Sequence, residues 1–441
     1  MHLRRSTIAA VALAVLLAAA LTAAVVPPRA SATDYSPPPG TLLWLQTWHP
    51  SSTFMKYGER DLVRGPGGDI WLGISGSTRA MDSPYTKRIC VARYSPSGAP
   101  RWRKVLPSPV DMERYCGIAL DRGRNAVVVG YREASGSPWV VRKLSPSGKT
   151  LWTRVISFAD HAQAVSVALD SHGDIYVVGT VRRTATGDDL TLVKFTASGV
   201  RKWTRSISGY EASWDSGVDV AVDSKDRVYV TGTVGSLMSG TDVVIARYTV
   251  SGTQVWLRTW DGAGLDDTAV DLDVSATTVA VAANAAGSTV GTAAVLKAVP
   301  DMTGKTIEAR TAAYVGRSAA WSAVDVNAAG DIAAVGTLRS GTIPEYMIQG
   351  RWSTFWTTSS YAPAGGTAGG DSVAVMADGT VIAGGWETGN GMVIDADLKE
   401  GEDWRANPFV GVSAERIVAT SGGVYAFGEW GDFLLLLKVA M

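Results

Sequence analysis

The chain reads as an all-β protein: eight four-stranded antiparallel blades closed into a β-propeller. Three observations predict this. A unit of about fifty residues recurs along the 441-residue chain. Each clear copy holds four stretches in which apolar and polar residues alternate, the period of a half-buried strand. The last copy stops one strand short, while a lone copy of the missing strand stands near the N-terminus.

Taken from the start, residues 1–32 read as a signal peptide. His2, Arg4 and Arg5 precede an apolar run over 8–26, and the ASA at 30–32 is a small-x-small cleavage site. Residues 33–39, TDYSPPP, form a short extended lead-in, and 40–441 form a single propeller domain. The clearest copy, GVDVAVDSKDRVYVTGTVGSLMSGTDVVIARYTVSGTQVWLRTW over 217–260, answers AVSVALDSHGDIYVVGTVRRTATGDDLTLVKFTASGVRKWTRSI over 164–207. Its strands are VDVAVD, RVYVTG, VVIARY and TQVWLR.

The ends of the second strands fall at Ile74, Gly130, Gly179, Gly232, Ala283, Gly336, Gly385 and Gly428, a mean step of about 51 residues. Copies five and six are degraded and rest on that spacing. The final copy, AERIVATSGGVYAFGEWGDFLLLLKVAM, has three strands, and ending there leaves an unpaired edge. In good copies a glycine precedes a tryptophan by four residues, as in Gly98–Trp102, Gly148–Trp152, Gly199–Trp203 and Gly252–Trp256. Gly40–Trp44 has the same spacing, so the N-terminal strand is expected to complete the last blade.

The repeated residues read as scaffold. The tryptophans pack across their blade or onto its neighbour. Gly148, Gly199 and Gly252 supply positive φ in SG hairpins, and Asp121, Asp170 and Asp223 accept backbone amides in the first-to-second-strand turns. Cys90 and Cys116 fall in adjacent blades, and export permits a disulfide between them.

Motifs such as VAVDSKDRVYVTGT followed by DVVIARYTVSGTQVW resemble the bacterial SBBP β-propeller repeat. That resemblance implies an exported propeller and no particular activity. The SPSGKTLW hairpin is also similar to blades of quinoprotein-like eight-bladed propellers, whose vicinal disulfide has no counterpart here.

Composition narrows function by exclusion. Forty-one basic residues balance forty-one acidic ones, which argues against a nucleic-acid binder. Four histidines and two cysteines leave little for a zinc centre, and no phosphate loop, dinucleotide fingerprint or GxSxG elbow occurs. Candidate sites are positions that break the repeat on the face carrying the long connections, such as 76–87, 180–190, 233–242, 261–268 and 356–370. Tyr131, Trp386 and Trp430 put rings on one arc of that face, and Trp214 and Trp321 on another. Asp273 and Asp325 stand where other inner strands carry alanine; a glycosidase-like pair, a calcium ion, or a bond to backbone N–H each fits them. The DGAGLDD at 261–267 could bind calcium, although it lacks the full spacing of a calcium loop, and no cofactor is otherwise expected.

The resulting expectation is a secreted, monomeric propeller scaffold, extracellular or associated with the cell envelope. It binds a protein, a glycan or an envelope component, with no nucleic-acid partner and no membrane span after cleavage. The rival is an extracellular polysaccharide lyase or hydrolase, and a quinone-dependent dehydrogenase comes third.

Overall fold

The structure, a computed structural model, describes residues 42–439 apart from 49–53, 79–85, 110–111, 135, 211–212, 238–239, 263, 287–290, 303–304, 313–315, 341–342, 353–356, 362–366, 388–390, 398–403, 407–413, 422 and 431–432. The signal-peptide and lead-in expectations fall outside the described residues.

Alternation makes every described element a strand, and the strands form eight sheets in sequence order. Their first strands are Phe54–Arg64, Glu113–Leu120, Ala162–Leu169, Ser216–Val222, Asp267–Val274, Ser318–Val326, Ala368–Val375 and Arg416–Thr420. Each of these lies against the first strand of the next sheet, and Arg416–Thr420 lies against Phe54–Arg64. They are therefore the inner strands, around a central channel. Leu42–Trp48 pairs antiparallel with Phe433–Val439, Leu45 opposite Leu437 and Thr47 opposite Leu435, and is the outer strand of the last sheet.

Uniform four-stranded antiparallel blades need correction. The third sheet carries a fifth strand, Ser213–Trp214, which pairs in parallel with Gly187–Phe195. The connection over 180–190 is also not a long loop. Strands Ile175–Arg183 and Gly187–Phe195 stay paired up to Arg183 and Gly187, so the hairpin projects as a ribbon.

Seven of the eight inner strands carry a register shift at one height, opposite the second-strand position held by Gly179 and Gly232. This explains the glycine found there. A Cβ at Gly232 would stand 2.1 Å from the Ser216 carbonyl oxygen, because the bulged inner strand turns a carbonyl toward it. Glycine is needed here for close approach.

The outer rim is stapled from sheet to sheet. The Trp102, Trp203 and Trp256 indole N–H groups donate to the carbonyls of Pro146, Val250 and Pro300, each in the following sheet's third-to-fourth-strand hairpin or its counterpart. Third-strand cations Arg93, Lys143, Lys194 and Arg247 donate to the carbonyls of Pro146, Ala197, Val250 and Pro300. The hairpin glycine is doubly required. Gly252 has φ +85°, and its missing Cβ leaves room for the Trp203 ring, 2.8 Å from where that atom would be. In the turns between first and second strands, Asp170 accepts from the His172 and Asp174 N–H groups, and Asp223 from those of Lys225 and Arg227.

The core lies between sheets, and strand parity decides which interface each residue enters. Ile89 and Val91 pack toward the second sheet, with Tyr115 and Val128. Cys90 and Ala92 point the other way, toward Tyr425, Phe427 and Leu436 of the eighth. Cys116 packs with Val129, Val167 and Val177, between the second and third sheets. Neither cysteine is in a disulfide, which corrects the expected Cys90–Cys116 bond. The sheets are adjacent, but the side chains leave through opposite faces.

Candidate functional site

The inner strands are sheet edges facing a channel, and their free N–H groups need acceptors. Carboxylates from the preceding sheet supply them. Asp219 accepts from the Leu272 N–H at 3.3 Å, and from its own sheet's Val220 N–H and the Ser166 hydroxyl. Asp271 accepts from Val324, Asp273 from Val326 and Asp325 from Val375, at 2.8, 2.8 and 2.5 Å. The sequence candidates Asp273 and Asp325 thus sit in the channel wall, engaged with backbone. Burial and the adjacent Asp325 push the Asp273 carboxyl well above the usual carboxylate range. Burial and neighbouring Asp271 push Asp219 to about 7, and burial raises Asp271 to about 6.

A cleft of about 470 Å³ opens at the long-connection end of the last three sheets, lined by Ser322, Asp371, Trp386, Glu415 and Arg416. Each residue is there for a local reason. Ser322 and Asp371 are the extra residues of the inner-strand bulges. Trp386 is the next-to-last residue of its second strand, with its ring held over Gly369, where a Cβ would stand 2.9 Å from it. Glu415 is fixed by its backbone N–H donating to the Phe427 carbonyl, and Arg60 of the first sheet pairs with its carboxylate at 2.6 Å. Burial and Glu415 raise the Asp371 carboxyl to about 7, against the opposing pull of Arg416 and Arg60. Near neutrality Asp371 therefore serves as donor or acceptor, beside a guanidinium, a second carboxylate, a hydroxyl and an indole.

Of the other aromatic candidates, those whose side chains are described do not join it. Trp321 is 2% exposed, within the core between the fifth and sixth sheets. Tyr131 packs against the core of the second and third sheets. Trp214 is 75% exposed, with the Arg182 guanidinium over its ring. Trp430 pairs through its backbone with Phe433; its side chain lies outside the described residues. Asp371 and Ser322 were missed, although a signal exists: the bulge position is valine at Val165, Val218 and Val270. A polar residue there breaks the repeat at the channel mouth.

No family model matches the chain, and no curated protein does. Among solved structures the chain is similar to one described as the Dos1 propeller, with TM-score 0.56 and 10% identity over 89% of this chain and 94% of that one. It is similar too to Sqt1 of Chaetomium thermophilum, with TM-score 0.54 and 13% identity over 88% and 95%. Identities this low speak for fold and not for ligand. Together with the ring of sheets, they make this chain a β-propeller.

Proposed function

We propose that the chain is a non-enzymatic binding scaffold, exported and acting outside the cell or on its envelope, whose cleft at Trp386 takes a hydroxyl-rich ligand, a glycan. The carrying observation is the chemistry of that cleft. An indole beside two carboxylates, a guanidinium and a hydroxyl matches a sugar, which offers one apolar face and a rim of donors and acceptors. Its volume falls within the roughly 300–1,000 Å³ of small-ligand pockets. A protein partner remains the wider alternative for the same loop face, with Trp214 as an exposed contact.

Calorimetric titration with a panel of neutral and acidic oligosaccharides tests the reading. A binder is expected in the panel, with affinity at least tenfold weaker for Trp386→Ala and for Arg416→Ala. No binding across the panel, or an unchanged affinity in Trp386→Ala, refutes it.

A second reading has one specific observation behind it. Asp371, raised to about 7 by burial and by Glu415, has the protonation behaviour that a general acid in a polysaccharide-cleaving enzyme needs. Time-dependent shortening of the bound oligosaccharide that Asp371→Asn abolishes would establish that reading in place of simple binding.

A further inference from the structure

One position of the repeat carries an acid in three sheets, two residues before the register shift of the inner strand. Glu113 is buried and paired with Arg142 at 2.7 Å and Arg132 at 3.0 Å. Asp215 is 1% exposed and accepts from two backbone N–H groups, those of Gly209 and Gly235. Asp267, the third, has no exposed surface and one partner among the described residues. Its Oδ2 accepts from the Gly262 N–H at 2.5 Å, while its Oδ1 is buried with no hydrogen-bond partner among them. The partner it lacks is identifiable. The counterpart of Gly235 is Ala286, whose N–H donates instead to the Asp266 carbonyl.

The surroundings of Asp267 are more acidic than those of its counterpart. In the third sheet Asp189 is held by Arg183 at 2.8 Å and by the Ser208 hydroxyl at 2.8 Å. One repeat later the register places Asp242 at Asp189, Ser236 at Arg183 and Asp261 at Ser208. A cation has gone and a carboxylate has replaced a hydroxyl. Oxygens of Asp242, Asp261 and Asp267 now lie within 4.8 Å of one another. Two oxygens bound to one calcium ion at about 2.4 Å stand at most about 4.8 Å apart, a limit that each of these pairs meets.

We propose that Asp242, Asp261 and Asp267 bind a calcium ion at the connection between the fourth and fifth sheets, where it does the work that Arg183 does one sheet earlier. All three ligands are hard oxygen donors with no imidazole or thiolate among them, which favours calcium over zinc or copper. Asp261 is on the exposed side, where water completes the sphere, and its Oδ1 accepts from the Gly264 N–H at 2.6 Å, which orders the connection. The ion pins Asp267, the first residue of an inner strand, to the third strand of the preceding sheet.

The test uses the full chain in three forms: wild type, Asp267→Asn, and a double variant, Ser236→Arg with Asp261→Ser, that copies the third-sheet arrangement. Thermal melting is followed in EDTA, in millimolar calcium, and in magnesium at equal ionic strength. Terbium luminescence is excited through Trp260, which adjoins the site. Wild type is expected to melt higher in calcium than in EDTA, to show sensitised terbium emission displaced by calcium, and to bind with a dissociation constant of about 10⁻⁵–10⁻³ M. Asp267→Asn is expected to weaken binding at least tenfold. The double variant is expected to melt in EDTA as wild type does in calcium, without responding to calcium. Equal wild-type melting in calcium and EDTA without terbium emission overturns the proposal. So does an equal shift in magnesium, or a calcium response in the double variant as large as that of wild type.

Discussion

Gly232→Ala puts the account of the bulged inner strands under direct strain. The added Cβ would lie 2.1 Å from the Ser216 carbonyl oxygen and 2.6 Å from Leu190 Cδ1, where real contacts stay above 3.0 Å. Leu190 can rotate aside. The carbonyl cannot, because it belongs to the backbone of the bulge, so the inner strand must move outward by about 0.9 Å at a point where the Thr233 hydroxyl is bonded to the next sheet's Ala269 N–H. Overpacking of this kind costs about 1–3 kcal/mol, and a backbone clash belongs at the upper end. The smaller entropy of the unfolded alanine chain returns about 0.4–1 kcal/mol, leaving a loss of about 2 kcal/mol. With an unfolding entropy near 2.1 cal/mol/K per residue over roughly 400 residues, the melting temperature should fall by about 2–3 °C.

Gly117→Ala is the control. Its Cβ would meet Val167 Cγ1 at 3.4 Å and Val129 Cγ2 at 3.6 Å, both ordinary contacts, so it should be neutral or stabilising by up to about 1 kcal/mol. Paired melting curves and urea titrations read the difference. If Gly232→Ala melts within error of wild type, or Gly117→Ala is the worse of the two, the bulge does not explain the glycine.

Three further outcomes follow from the same geometry. Asp219, Asp271 and Asp371 have carboxyls raised to about 7, 6 and 7, so the native state holds protons that the unfolded chain releases above about pH 4; stability should fall as pH rises from about 4 to 7. Asp121, Glu133 and Asp226 are lowered by their partners and act in the opposite sense, losing stability as pH falls below about 4, so the melting temperature should peak near pH 4 and Asp219→Asn should flatten the alkaline side. A melting temperature that climbs steadily from pH 5 to 8 would contradict the direction assigned to the channel acids. Burial pushes the Cys90 thiol to about 12, so a thiol reagent should leave Cys90 unlabelled in the native protein and find two thiols after denaturation; none after denaturation would restore the disulfide. Trp256→Ala should cost about 3–5 kcal/mol by emptying a site 7% exposed and orphaning the Pro300 carbonyl, and a loss below about 1 kcal/mol in urea titration would remove the rim staple from the account.

The scaffold was legible where one residue type performs one local task in every copy. Asp170 and Asp223 close their turns on the next amides, as the carboxylate at that place implies. The tryptophans do pack onto the neighbouring sheet, though only coordinates give the acceptor, a carbonyl more than forty residues away for Trp102, Trp203 and Trp256. The disulfide failed because adjacency was judged by sheet and not by face; Cys90 leaves toward the eighth sheet and Cys116 toward the third. Trp321 drew notice as a departure from the repeat, but it enters an inter-sheet core, which spacing cannot distinguish from a loop platform. Trp386 reached the cleft, while Asp371 and Ser322 were hidden because a bulge residue has no strand parity by which to assign its side. Arg416 was hidden for another reason, since its neighbours come from the first and seventh sheets, far away in sequence.

The most direct measurement is a crystal structure of the protein soaked with whichever oligosaccharide the titration panel identifies. The account predicts a sugar ring stacked on the Trp386 indole, with hydroxyls within hydrogen-bond distance of Asp371 and Arg416. An ordered sugar elsewhere on the ring of sheets, with solvent alone against Trp386, would contradict it.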